Sequence, residues 1–422
     1  MPLFRDLAGF FCESSNKKLP KARFCAILSG NHYQWVTELI FRMKNIFSHV
    51  KDFLLKIINA QLSCRSWVIL VIFTPMAVLA FTALLVFTVD PHYRYREPFF
   101  YDKVYYEVYA IAPSLLRNEN YDTLMLGSSM VRNMRLSEIQ NTFSGNPLKL
   151  AAAGGTMTDL KKFFDLALKA KKNELKQVII SLDIYALNKG KNQAHYTGYG
   201  YMYNDGFSEE YRYFFSRQSL SNILYLIKRK HRPRRHRRYQ TDRDLMFVND
   251  YPGKPYGLDE VVMEAAANEN SKHTPTPFHP ENSSRSMNEE LLPMIDRNPQ
   301  IKFTVFLPPY HVFCWCLSER FAQADALLKQ RTMVIKELLK RPNVTIHDLQ
   351  SCREIVCDHS LYNDTQHFSL SAGSLILEKI RSGKFIISTP EEAESGELEL
   401  RKLITSYLPL YTGKVEMLKQ RR

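Results

Sequence analysis

The chain has 422 residues, 45% of them hydrophobic and 12% aromatic, which excludes a disordered protein and supplies one large core or two ordinary ones. Its 57 Lys and Arg against 43 Asp and Glu leave a formal charge of +14, so anionic surfaces attract it: phospholipid headgroups, acidic polymers or nucleic acid.

Residues 1–42 are irregular and polar, and Met43, which opens a basic amphipathic stretch, is a candidate true start. The run at 67–89 contains no ionisable side chain and lies between Arg65 and Asp90. A helix rising about 1.5 Å per residue through a run of this length covers a hydrocarbon core of about 30 Å, so the run predicts a transmembrane helix. Pro75 within it is tolerable in lipid. Arg42, Lys44, Lys51, Lys56 and Arg65 precede the span with only Asp52 opposing them, whereas charges of both signs follow it. The positive-inside bias therefore assigns residues 1–66 to the cytoplasm and everything from about residue 90 to the far side.

After an expected linker at 90–118, short apolar runs alternate with helical patterns. Thr123–Leu126, Leu148–Ala151, Gln177–Leu182, Lys302–Leu307 and Val344–Asp348 read as buried strands. Between them, Ser137-Glu-Ile-Gln140 has the spacing of a capping box, the stretch from Met157 reads as a helix, and a long helix is expected across Ser318–Lys340. This alternation predicts an α/β domain at 119–385 with a doubly wound, mostly parallel sheet, followed by an extension at 386–422. The pattern lapses at about 190–298, which reads as an insertion able to form a lid or partner surface. Cys314, Cys316, Cys352 and Cys357 fall on the oxidising side, where at least one disulfide is expected and three pairings of two bridges are possible. Metal binding is the competing reading, but the spacing fits no common zinc pattern.

Reactive groups of open α/β sheets lie at the carboxyl ends of strands. At the first such end stands Gly127-Ser128-Ser129, where a hydroxyl would sit at a helix start near backbone N–H groups able to hold an oxyanion. At the second stands Ala151-Ala-Ala-Gly154-Gly155-Thr156, small enough for an amide to approach a developing oxyanion. Late in the chain comes Asp364-Thr-Gln-His367, an acid and an imidazole one turn apart. A serine hydroxyl is a poor nucleophile until an imidazole takes its proton, and the imidazole needs a carboxylate to fix its tautomer. Each motif alone is more often a turn, a packing contact or a surface loop; their order and strand-end positions reinforce one another.

At these residues the chain resembles the SGNH/GDSL hydrolase superfamily, and within it the membrane-anchored envelope branch of alginate-type O-acetyltransferases and teichoic-acid D-alanyl transfer proteins. The resemblance spans roughly residues 120–185 and 300–380. It implies a flavodoxin-like three-layer fold, Ser129 as nucleophile, Ser129 with Gly154 or Gly155 as the oxyanion hole, and Asp364 and His367 as orienting acid and general base. Where the superfamily often has Gly-x-Asn-Asp, this chain has Ser181-Leu182-Asp183-Ile184-Tyr185, so the side-chain amide is missing, and an ionised Asp183 cannot donate in its place. The resemblance also implies acyl transfer or ester hydrolysis on a cell-envelope glycan at the bacterial inner membrane, a polytopic acyl-export partner, and no metal or organic cofactor. A catalytically silent polysaccharide-binding scaffold is the alternative.

Four more residues are candidates for the substrate side: Asp183; His311, which follows a strand in Pro308-Pro309-Tyr310-His311, where a structural turn is an equal reading; and Tyr199 and Tyr201 of a Tyr/Gly-rich stretch able to stack on sugars, although ordinary loop packing explains that stretch better. His359 is a fallback base. The basic run Lys228–Tyr239 suits anionic lipid or acidic glycan on the far side of a membrane, and nucleic acid is not expected there.

Overall fold

The computed structural model describes residues 63–171, 174–229, 240–270 and 278–420. Met43, the charges that precede Arg65, Cys12, Cys25 and residues 230–239 of the basic run lie outside the described residues. The chain divides into two compact units, Met1–Val78 and Leu79–Arg422. Helices of eight or more residues are numbered.

Helix α1, Cys64–Val89, contains Pro75 and is long and apolar enough to cross a membrane. It begins three residues before the run read from the sequence.

In the second unit, residues 90–118 are not a linker. Asp90, His92, Tyr93 and Arg94 are buried, and Asp90 Oδ1 accepts from Arg94 N (3.0 Å) and from Tyr213 Oη (2.5 Å). Helix α2, Val108–Asn118, then buries most of its length. The segment is polar and aromatic enough to read as loop, yet it is fixed by contacts distant in sequence.

The core is a six-stranded sheet of order β2-β1-β3-β4-β5-β6, with β1 Thr123–Gly127, β2 Pro147–Ala151, β3 Gln177–Ser181, β4 Lys302–Leu307, β5 Val344–Asp348 and β6 Ile386–Ile387. All neighbours are parallel except β5 and β6. The first three strands are buried throughout, as expected of a parallel sheet covered on both faces. Because β2 and β3 flank β1, the chain reverses direction across the sheet after β2. Right-handed crossovers then put α3, Leu136–Phe143, and α4, Met157–Lys171, on opposite faces.

Three helices differ from expectation. α3 has Arg135 as its N-cap and no side-chain cap; the Ser137 amide donates instead to Asp244 Oδ1 (2.7 Å), a carboxylate from the insertion. The long helix expected across Ser318–Lys340 is two, α8, Val312–Arg320, and α9, Ala324–Leu338. Ala322 between them has φ +54°. Apolar spacing runs through the break because both helices bury a face. The expected extension is also integral: α11, Pro390–Gln420, packs on α8, on α9 and on α7, Leu258–Asn270.

The insertion carries α5, Phe207–Phe215, α6, Arg217–Arg229, and α7, and belongs to the same unit as the sheet. Helix α10, Leu370–Ser382, packs on α3.

Candidate active site

Strand β1 ends at Gly127, and nothing larger fits: a Cβ there would lie 2.6 Å from Val131 Cγ1 and 2.8 Å from Ser181 Cβ. The chain turns directly into the short 3-10 turn Ser129–Val131, capped by Ser128. Ser128 Oγ accepts from Met130 N (3.3 Å) and donates to Asp183 Oδ2 (2.9 Å). The turn presents Ser129 Oγ at 2.7 Å from His367 Nε2.

His367 Nδ1 lies 2.7 Å from Asp364 Oδ2, while Asp364 Oδ1 accepts from the amides of His367 (2.6 Å) and Gln366 (2.8 Å). Burial pushes the Asp364 carboxyl up, but the bonds and charge of His367 and the two amides outweigh it and hold the group below the usual carboxylate range. An ionised Asp364 can only accept, so Nδ1 carries the proton and Nε2 presents its lone pair to the Ser129 hydroxyl. The loop bearing this pair is pinned by the Tyr362–Phe368 bridge, by His311 N donating to Thr365 O (3.1 Å), and by Thr365 N donating to Glu264 Oε2 (3.2 Å).

The two glycine candidates differ. The Gly155 amide is spent on Ala152 O (2.7 Å). Gly154 is exposed, its carbonyl accepts from Lys189 Nζ (2.5 Å), and its amide donates to no acceptor among the described residues; the same holds for the Ser129 amide. These two amides are therefore without an internal acceptor among the described residues, and that of Gly155 is not.

The four substrate-side candidates do not meet at this cleft. Asp183 caps the helix Ile184–Asn188, its Oδ1 accepting from Tyr185 N (3.0 Å) and Tyr310 Oη (2.5 Å), so both oxygens bind protein and its role is to position Ser128. His311 is fully buried; its Nδ1 accepts from Phe313 N (3.1 Å) and its Nε2 lies 2.7 Å from His359 Nδ1. Burial, then the charge of His359, lowers the His311 imidazole to about 3. That pairing turns His359 away from any role as base to Ser129. Tyr201 is buried with its hydroxyl 3.4 Å from Ser216 Oγ, and Tyr199 packs half-buried against the core, its phenol pushed up to about 12 by burial. Tyr201 is thereby closed to a sugar, while Tyr199 keeps part of its ring exposed.

The expected disulfide is absent: Cys314, Cys316, Cys352 and Cys357 are all free. Cys314 Sγ instead meets Tyr185 Oη (3.5 Å) and Gln366 Nε2 (3.9 Å), and Cys316 Sγ points at Ile404 O (4.0 Å). No group of three or more His, Cys, Asp or Glu able to hold a metal occurs among the described residues.

Sequence reasoning missed the rest of the cleft. Ser129 and His367 border a narrow recess of about 10 Å³, room for about one water, walled by Arg132, Asn133, Asn249 and Lys254. Asn133 is the clamp: its Nδ2 donates to Phe368 O (2.6 Å) and its Oδ1 accepts from Asn249 N (2.9 Å), joining the serine turn to the histidine loop and the insertion. Arg132 stands three residues past Ser129, a cation one turn from a candidate nucleophile, and that spacing was a usable signal. Nothing local marked Lys254.

No protein-family model, curated protein or solved structure matches the chain.

Proposed function

We propose that this chain is a membrane-anchored serine acyl-ester enzyme, an O-acyltransferase or esterase of SGNH type, with its α/β unit on the extracytoplasmic side of a bacterial inner membrane and a cell-envelope glycan as acceptor or substrate. The observation that carries the reading is the unbroken relay Ser129 Oγ, His367 Nε2, His367 Nδ1, Asp364 Oδ2, with both links at 2.7 Å, at the carboxyl edge of the sheet beside the strand-order reversal. Two of the motifs that carry the resemblance, Gly127-Ser128-Ser129 and Asp364-Thr-Gln-His367, meet there. The apolar span α1 and the basic residues before it support the topology.

In this mechanism Ser129 Oγ attacks the acyl carbonyl carbon as His367 Nε2 takes the hydroxyl proton. The carbonyl oxygen becomes an oxyanion held by the amides of Ser129 and Gly154. Collapse expels the donor's alcohol, which takes the proton from His367 and leaves an acyl-serine. A glycan hydroxyl or water then gives its proton to His367 and attacks the acyl-serine; as the second tetrahedral intermediate collapses, His367 returns that proton to the departing Ser129 Oγ. Asp364 keeps the imidazole oriented and stabilises its cation. Asp183 supplies no oxyanion donor, which fits a slow transferase better than a fast esterase. A transferase also needs acyl groups delivered across the membrane, hence a polytopic partner.

Intact-mass spectrometry of the full chain in detergent, after exposure to p-nitrophenyl acetate, tests this. The wild type is expected to gain one acetyl group, and Ser129→Ala and His367→Ala none. A folded wild type that gains nothing favours a silent glycan-binding scaffold.

A further inference from the structure

The cleft that holds Ser129 is walled by two cations, Arg132 and Lys254, that form no direct ion pair among the described residues. Arg132 uses one side-chain nitrogen, Nε, on Phe247 O (3.3 Å); its two terminal nitrogens make no hydrogen bond and no ion pair among the described residues. Lys254 Nζ donates to Asn249 O (2.9 Å) and likewise pairs with no carboxylate among them. The acids that act on them through space are Glu107 for Arg132 and Asp364 and Asp250 for Lys254; of these, Asp364 holds His367, and Asp250 Oδ2 accepts from Leu370 N (2.7 Å). Burial is the largest influence on both cations and works against their charge. Two like charges facing one partly desolvated space lose hydration that attraction to these acids returns only in part, and an entering anion would offset the rest.

Their placement also restricts what enters. Arg132 leaves the end of the serine turn, with its own amide on Ser129 O (3.1 Å) and its carbonyl held by the buried Lys149 Nζ (2.9 Å). The guanidinium base is therefore fixed relative to the nucleophile. Lys254 comes from the insertion, tied to Asn249 O. A small cleft with a nucleophile, a planar fork of free N–H donors and a second ammonium matches a carboxylate or phosphate carried close to the reacting oxygen.

We propose that Arg132 and Lys254 form an anion subsite beside Ser129 which takes a carboxylate or phosphate group of the substrate, near its ester or acceptor hydroxyl; the substrate role rests on Ser129 being the nucleophile. The subsite discriminates charged from neutral glycans in the ground state. That separates it from an oxyanion role for Arg132, which would act only once the tetrahedral intermediate has formed.

The test is binding to the full Ser129→Ala chain in detergent, by isothermal titration calorimetry at low salt. The probes are a galacturonate trisaccharide for carboxylate, a glycerol-phosphate oligomer for phosphate, and maltotriose as the neutral control. At least one anionic probe is expected to bind about ten- to hundredfold more tightly than maltotriose. Added Arg132→Gln or Lys254→Gln should each erase most of that preference, Arg132→Lys should retain part of it, and thermal melts should confirm folding. Equal affinity for charged and neutral probes, or a preference that survives the Arg132→Gln/Lys254→Gln double substitution, overturns the subsite. Failure of the nucleophile reading is recorded separately, as the absence of an acetyl adduct on the wild-type chain.

Discussion

Lys149 lies within β2 with no exposed surface, and its ammonium has only the carbonyls of Arg132 (2.9 Å) and Met134 (2.5 Å) as partners among the described residues. Burial lowers it to about 7 from an ordinary value of 10.5. Between those values the unfolded chain binds one more proton than the folded one, so stability rises with pH by about 1.4 kcal/mol per unit. Above pH 9 the thiols of Cys314 and Cys316, raised by burial to about 12, pull the other way. The clean window is therefore pH 7 to 8.5, where the wild type should gain about 2 kcal/mol of unfolding free energy. Lys149→Met should flatten that gain while leaving two carbonyls unpaired, and denaturant melts at the two pH values measure it. Asp183 and His311 show what single residues hide. Both were legible as polar groups at strand ends, but whether a side chain turns outward to substrate or back to cap a helix depends on partners such as Ser128, Tyr310 and His359, which no local pattern names.

At the scale of elements, the contact between α10 and the serine turn is the tightest in the site. A Cβ on Gly373 would fall 1.7 Å from Asn133 O and 2.9 Å from its carbonyl carbon, both backbone atoms that cannot swing aside. Gly373→Ala should therefore push α10 off the Asn133 clamp, lower the melting temperature and cut acyl-serine formation at least a hundredfold, because near-attack geometry is lost with shifts of about 1 Å. Gly413→Ala on α11, where nothing lies within 4 Å, is the control and should be neutral or stabilise by about 0.5–1 kcal/mol. If both variants behaved alike, the clamp would not govern the site. The first five strands were readable to within about a residue because buried parallel strands are continuous apolar runs. β6 is two residues long, paired through Ile386 and Ile387, and too short to leave a pattern. The α8–α9 break was hidden because a left-handed Ala322 has no sequence signature.

At the scale of the whole chain, the span and the sheet were legible from composition and period, whereas the assembled cleft was not. Asn249 and Lys254 reach it from an insertion whose own sequence carries no alternation. The full chain should stay in the membrane pellet after alkaline carbonate extraction, and a chain begun at residue 90 should be released; release of both would remove α1 as an anchor. The relay has a further consequence, in time. Ser129 stands in the turn just after the first strand made, and His367 lies 238 positions later, between the fifth strand and α10. During synthesis the serine therefore leaves the ribosome long before its base exists. A nascent, truncated or proteolytically shortened chain that ends before residue 367 carries an unarmed hydroxyl, so the reactive group appears only once the last third of the protein has folded.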